Sequence, residues 1–179
     1  MPTSSKPTIA PYGSWASPIS ARMLAESGVR LGEPGTDGDA VLWLESRAQE
    51  KGRMTLLRTS PADAEPVELT PAPYNVRSRV HEYGGGAWTA SGGIVVFANL
   101  ADMRLYRIDP GSTEPVAITP EGGLRYANPI IDLPNRRLIA VCEDHSFPEA
   151  EAVNTLVQLT LEGPNEDGGS ILVSGTDFV

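Results

Sequence analysis

The chain has one cysteine, two histidines, few aromatic residues (6%) and fewer bases than acids, 14 against 23. Each scarcity excludes something. A single cysteine, Cys142, permits no internal disulfide and no thiolate metal cluster. Cys142 lies in an apolar run, so it reads as a buried core thiol rather than a nucleophile. A formal net charge of -9 argues against binding nucleic acid or an anionic membrane surface. No apolar run reaches the ~20 residues of a membrane helix. Met1 to Ala10 holds one lysine and no apolar stretch, so no signal peptide is read there and a cytoplasmic setting is expected.

Catalytic motifs are scarce too. The nucleophile elbow of α/β hydrolases, Gly-x-Ser-x-Gly, does not occur. Ser14 follows Gly13 but precedes Trp15, and Ser170 has no trailing glycine. No catalytic residue is therefore assigned. Gly84-Gly85-Gly86 lacks the Lys-Ser/Thr of a phosphate loop. Glu143-Asp144-His145, with Glu149 and Glu151, matches neither zinc nor calcium spacing and reads as a solvated acidic loop. No metal and no cofactor are expected.

What the chain does hold is turn formers and short apolar runs. Its 18 glycines and 16 prolines are dispersed as punctuation. Residues 1–11 read as disordered. Ser17-Pro18 reads as a helix N-cap and first turn, with a short helix over Ile19 to Glu26 ended by Gly28. From Val29 the runs are strand-like, among them Val41–Leu44, Met54–Leu57, Ile94–Ala98, Arg104–Ile108, Leu138–Cys142, Thr155–Leu159 and Ile171–Val173.

These runs repeat. Glu65-Pro66-Val67-Glu68-Leu69-Thr70-Pro71 is echoed by Glu114-Pro115-Val116-Ala117-Ile118-Thr119-Pro120. The separation is 49 residues, both from Thr70 to Thr119 and from Leu56 to Leu105. A period near ~50 with several strands per unit marks propeller blades. Ile94–Ala98 and Leu138–Cys142 are apolar at consecutive positions, which demands cover on both faces. The expected fold is all-β: an incomplete propeller of about three four-stranded antiparallel blades. The blades are expected at 29–70, 74–119 and 126–174, after an N-terminal tail and helix at 1–28. Closed propellers have ~4–8 blades, so the chain is expected to be the N-terminal part of a longer protein.

The stretch Val76 to Trp88 carries the most unusual chemistry. Read as a strand, Arg77, Arg79, His81 and Tyr83 share one face, and Val76, Ser78, Val80 and Glu82 the other. The three glycines that follow allow a sharp turn or a close approach to another segment. A cationic face beside such a corner could hold a carboxylate-bearing ligand. The candidate substrate-binding residues are Arg77, Arg79, His81, Glu82 and Tyr83.

Arg79-Val80-His81-Glu82-Tyr83-Gly84-Gly85-Gly86 resembles the N-terminal propeller of the prolyl oligopeptidase family of serine peptidases. The similarity extends to Pro11–Trp15, Ser17-Pro18-Ile19, Trp43-Leu44-Glu45, Arg125-Tyr126-Ala127 and Glu143-Asp144-His145-Ser146, in the family's order. It points to the branch of bacterial dipeptidyl aminopeptidases and acylaminoacyl peptidases. One departure is Asn128, where the related pattern often has an acid. The resemblance implies a non-catalytic propeller that gates peptide access to a C-terminal α/β-hydrolase domain. It implies that peptide substrates and that domain are the partners. It also allows Glu82 to hold a substrate ammonium group. The competing reading is a stand-alone β-repeat module that binds peptide or carbohydrate through Arg77, Arg79 and His81; a segment completed by another chain is a third.

Overall fold

The computed structural model describes residues 9–26, 28–147, 149–176 and 178. The expectation for residues 1–11 falls mostly outside them. Among the described residues there is one α-helix, α1 (Ala21–Glu26), and it is shorter than expected. The Ser20 hydroxyl, not Ser17, accepts the Met23 N–H at 3.0 Å, so the cap lies three residues later. Ser17 instead bonds the Ile19 N–H, a local turn that keeps Pro18 ahead of the helix.

Twelve strands then form three four-stranded antiparallel sheets. The first contains β1 (Leu31–Asp37), β2 (Ala40–Arg47), β3 (Arg53–Thr59) and β4 (Val67–Glu68). The second contains β5 (Trp88–Ser91), β6 (Ile94–Ala98), β7 (Leu105–Ile108) and β8 (Val116–Ala117). The third contains β9 (Leu124–Asp132), β10 (Arg137–Asp144), β11 (Val153–Thr160) and β12 (Ser170–Gly175). In each sheet the strands pair in chain order. The first strands touch across sheets, β1 on β5 and β5 on β9. They form the inner side, and β4, β8 and β12 lie outermost. This is the blade arrangement the repeat predicts; the described strands close no barrel.

The 49-residue period has a physical basis. The Thr70 hydroxyl accepts the Leu56 N–H at 2.8 Å, and the Thr119 hydroxyl accepts the Leu105 N–H at 2.9 Å. The backbone repeats the match, Leu69 N to Leu56 O and Ile118 N to Leu105 O. Each threonine finishes the ladder where its outer strand has run out.

Strands apolar on both faces sit in the middle, as their composition demands. Val95 and Phe97 of β6 pack with Leu42, Leu44 and Leu56 of the first sheet. Val96 and Ala98 face the other way, onto Tyr126, Leu138 and Ala140 of the third. The cores therefore lie between the sheets. Cys142 is buried in the second of them, and desolvation pushes its thiol up to about 12, which keeps it protonated and unreactive. A third cluster joins Val80 to Ala127 and Val141. Val141 points away from the Ala140 and Cys142 core. The segment between the first two sheets thus reaches the far face of the third.

Candidate functional site

That connecting segment holds all five candidate residues. From Val76 to Val80 it is extended, and burial alternates as predicted: Val76, Ser78 and Val80 are enclosed, while Arg77 and Arg79 are exposed. Val76 makes an isolated antiparallel bridge to Asn99, just past the end of β6. Beyond Val80 the strand reading fails. His81 and Glu82 take left-handed backbone angles, φ 54° and 63°. The Glu82 N–H donates to Arg79 O and the Gly84 N–H to Val80 O, closing a tight turn. His81 and Tyr83 therefore do not continue the face of Arg77 and Arg79.

The turn is held from the third sheet. Glu143, at the end of β10, is only 4% exposed. Its Oε1 accepts the His81 N–H at 2.7 Å and lies 3.1 Å from His81 Nδ1. Its Oε2 lies 2.9 Å from His145 Nε2. On its other side, His81 Nε2 is 3.2 Å from the Phe178 carbonyl. Both neighbours of the ring are acceptors, so an N–H on either ring nitrogen finds a partner. Arg125, from β9, reaches the same turn, donating to Glu82 at 2.8 Å and to Arg79 O at 3.2 Å. The Arg125 hydrogen bond and charge, with His145 and Arg79 adding, hold the Glu82 carboxyl below its usual range. Glu82 is therefore an ionised, exposed carboxylate already engaged by Arg125.

The glycines make the predicted close approach. The Gly86 N–H donates to Asn128 Oδ1 at 2.6 Å, and the Asn128 N–H returns a bond to Gly86 O at 2.7 Å. A Cβ on Gly86 would stand 2.7 Å from that same oxygen, and one on Gly85 3.0 Å from Ala127 Cβ. Side chains there would push the corner off β9.

Behind the turn lies a cavity of about 700 Å³, lined in part by Arg30, Glu33, Ser46, Met54, Arg77 and Tyr83. Glu33 sits on an irregular stretch of β1 with φ 45°, and its carboxylate accepts the Ala87 N–H at 3.1 Å. Burial raises the Glu33 carboxyl, and the Ala87 bond opposes the rise. The structure thus divides the candidates. Arg77 and Tyr83 line the cavity with Arg30 and Glu33, whereas His81 and Glu82 face Glu143, Arg125 and His145. Ring contact joins the groups, His81 to Tyr83 at 5.8 Å between centroids. Sequence reasoning missed Arg30, Glu33 and Arg125 as parts of this site. Arg30 and Glu33 lie just before and within β1, where no local motif marks them. Arg125 lies in the quoted Arg125-Tyr126-Ala127 stretch, but its contact with the turn spans 46 residues to Arg79.

Among the described residues, no group of three or more His, Cys, Asp or Glu side chains is arranged to hold a metal ion. Among them, too, no helix is long and apolar enough to cross a membrane.

No protein-family model and no curated protein matches the chain. Solved structures do. A Mycobacterium tuberculosis puromycin-hydrolysing peptidase superposes with a TM-score of 0.83 at 36% identity, over 94% of this chain and 28% of its own. A puromycin hydrolase superposes with a TM-score of 0.82 at 34% identity, over 92% of this chain and 27% of its own. These neighbours are peptidases of the prolyl oligopeptidase family. The chain spans little more than a quarter of their length.

Proposed function

We propose that this chain is the propeller segment of a cytoplasmic peptidase of the prolyl oligopeptidase family, and that it gates peptide access to a C-terminal hydrolase domain. The similarity in sequence and structure to the puromycin-hydrolysing peptidases, over nearly the whole chain, carries this reading. On it, the whole protein hydrolyses amide bonds in small peptides or puromycin-like substrates at a serine outside this segment, in the manner of the aminopeptidase branch. The part played here is selection. The cavity offers the Arg30 and Arg77 guanidinium groups, the Glu33 carboxylate and the Tyr83 ring to a short polar chain. His81 and Glu82 stand apart from it, on Glu143 and Arg125, and fix the turn that presents Tyr83.

The test is kinetic, on the full-length peptidase. Arg77→Ala should raise KM for short peptides several-fold and leave kcat within about twofold, as expected when binding away from the reacting bond is lost. A fall in kcat with KM unchanged would remove the selection role. The cavity is also what a stand-alone binding module would use. Peptide binding by a 179-residue chain encoded without any hydrolase domain would favour that reading.

A further inference from the structure

We propose that β12 is a docking edge for a second copy of the protein, with the two β12 strands pairing antiparallel about a two-fold axis. The argument comes from comparing the three outer strands, which hold equivalent places in the three sheets. Two of them are blunted. β4 and β8 are two residues long. Pro66 and Pro71 bracket β4, Pro115 and Pro120 bracket β8, and Glu65, Glu68 and Glu114 lie on or beside them. Short, charged, proline-bounded edges are the usual defence of a sheet against pairing with other chains.

β12 lacks these defences. Its six residues, Ser-Ile-Leu-Val-Ser-Gly, include no proline and no charge. One side pairs with β11, and no described strand pairs with the other. All six residues are exposed, with Ile171 at 64%, Leu172 at 51% and Val173 at 46%. Its one blunting device is a bulge at Leu172, where Leu156 pairs with Val173 and Val157 with Ile171. The exposure does not come from an uncovered outer face of the third sheet alone. Ile171 stands opposite Val157, which is 2% exposed and packs toward the second sheet, yet Ile171 remains open.

Such an edge is matched by another strand, whose backbone supplies the missing partners. A second copy of β12 fits because an uncharged strand pairs with itself without setting like charges opposite one another. A two-fold axis makes the contact self-complementary, so it closes at a dimer instead of growing into a fibre. No β12 residue lines the cavity beside Arg77 and Tyr83, so pairing at this edge leaves it free.

Sedimentation velocity on the longest natural polypeptide carrying this chain tests the proposal, between about 50 mM and about 500 mM salt. A reversible dimer is expected at each salt concentration. Ile171→Lys and Val173→Lys should each weaken it at least tenfold, and Val116→Lys on β8 should leave it unchanged. Circular dichroism melts show whether the variants fold. Should they not, hydrogen exchange of the β12 amides in the unaltered protein replaces them, with slower exchange expected at dimer-forming concentration. A monomer at every concentration and salt, a dimer indifferent to both β12 lysines, or β12 exchange that ignores concentration would overturn the proposal.

Discussion

At the scale of single residues, the glycine corner depends on Asn128. Asn128 has φ 49°, a backbone region that asparagine tolerates better than most residues. Its Oδ1 is the acceptor for the Gly86 N–H. A carboxylate at this position would supply the same acceptor. Asn128→Asp should therefore hold the corner, costing within about 1 kcal/mol, while Asn128→Ala should cost about 1–3 kcal/mol through the lost acceptor and the strained angle. Thermal melts compare the two, and an aspartate variant as unstable as the alanine one would contradict this account. The His81 turn shows why the site was only half readable. Alternation from Val76 to Val80 was visible because it is a local pattern with buried partners. The reversal at His81 was not, since no glycine stands at the two left-handed positions. The Glu143 carboxylate that holds the turn lies 62 residues away.

At the scale of elements, middle strands were plain in the sequence and inner strands were not. β6 and β10 are buried between neighbours and so are apolar at consecutive positions. β1, by contrast, reads Leu-Gly-Glu-Pro-Gly-Thr-Asp, a run with poor strand propensity. Its shape follows from packing: a Cβ on Gly35 would lie 2.7 Å from the Trp88 ring. The first sheet is also tied together by Arg53, on β3, which is only 8% exposed. Its guanidinium meets Glu50 at 2.5 Å, Glu68 at 2.7 Å, and the carbonyls of Thr70 and Tyr74 at 2.8 and 3.0 Å. Burial raises the Glu68 carboxyl, but the bonds from Arg53 and Thr55 outweigh it, and the net shift is downward. A carboxyl with a depressed pKa in the folded state stabilises above its unfolded pKa, and that contribution is lost as pH falls through the folded value. Glu68→Gln should accordingly lower stability near neutral pH by about 1 kcal/mol. The gap from the unaltered protein should close below the ordinary carboxylate range. Melts across that range check it; a gap that widens in acid would reverse the assigned sign.

At the scale of the whole molecule, three stacked sheets bury two interfaces and leave two ends open. The first sheet shows Leu31 at 63% and Val41 at 44% exposed, and the third shows Ile130 at 64% and Val173 at 46%. Every ~100 Å² of apolar surface left open forfeits about 2.5 kcal/mol of burial, against a total domain stability of about 5–15 kcal/mol. Stacked repeats rely on polar outer faces at their ends for solubility, and these ends lack them. Each sheet also touches only its neighbours, so the outer two can loosen while the middle one holds. The 179-residue chain, made alone, should therefore self-associate and melt broadly, with a van't Hoff enthalpy well below the calorimetric one. Val173→Lys on the β12 edge should not abolish this association, because Leu31 and Val41 remain open at the opposite end. Light scattering and calorimetry on the isolated chain decide the matter. A monodisperse monomer with a single sharp transition would mean that the open faces carry no such cost and that the stacked sheets are sufficient by themselves.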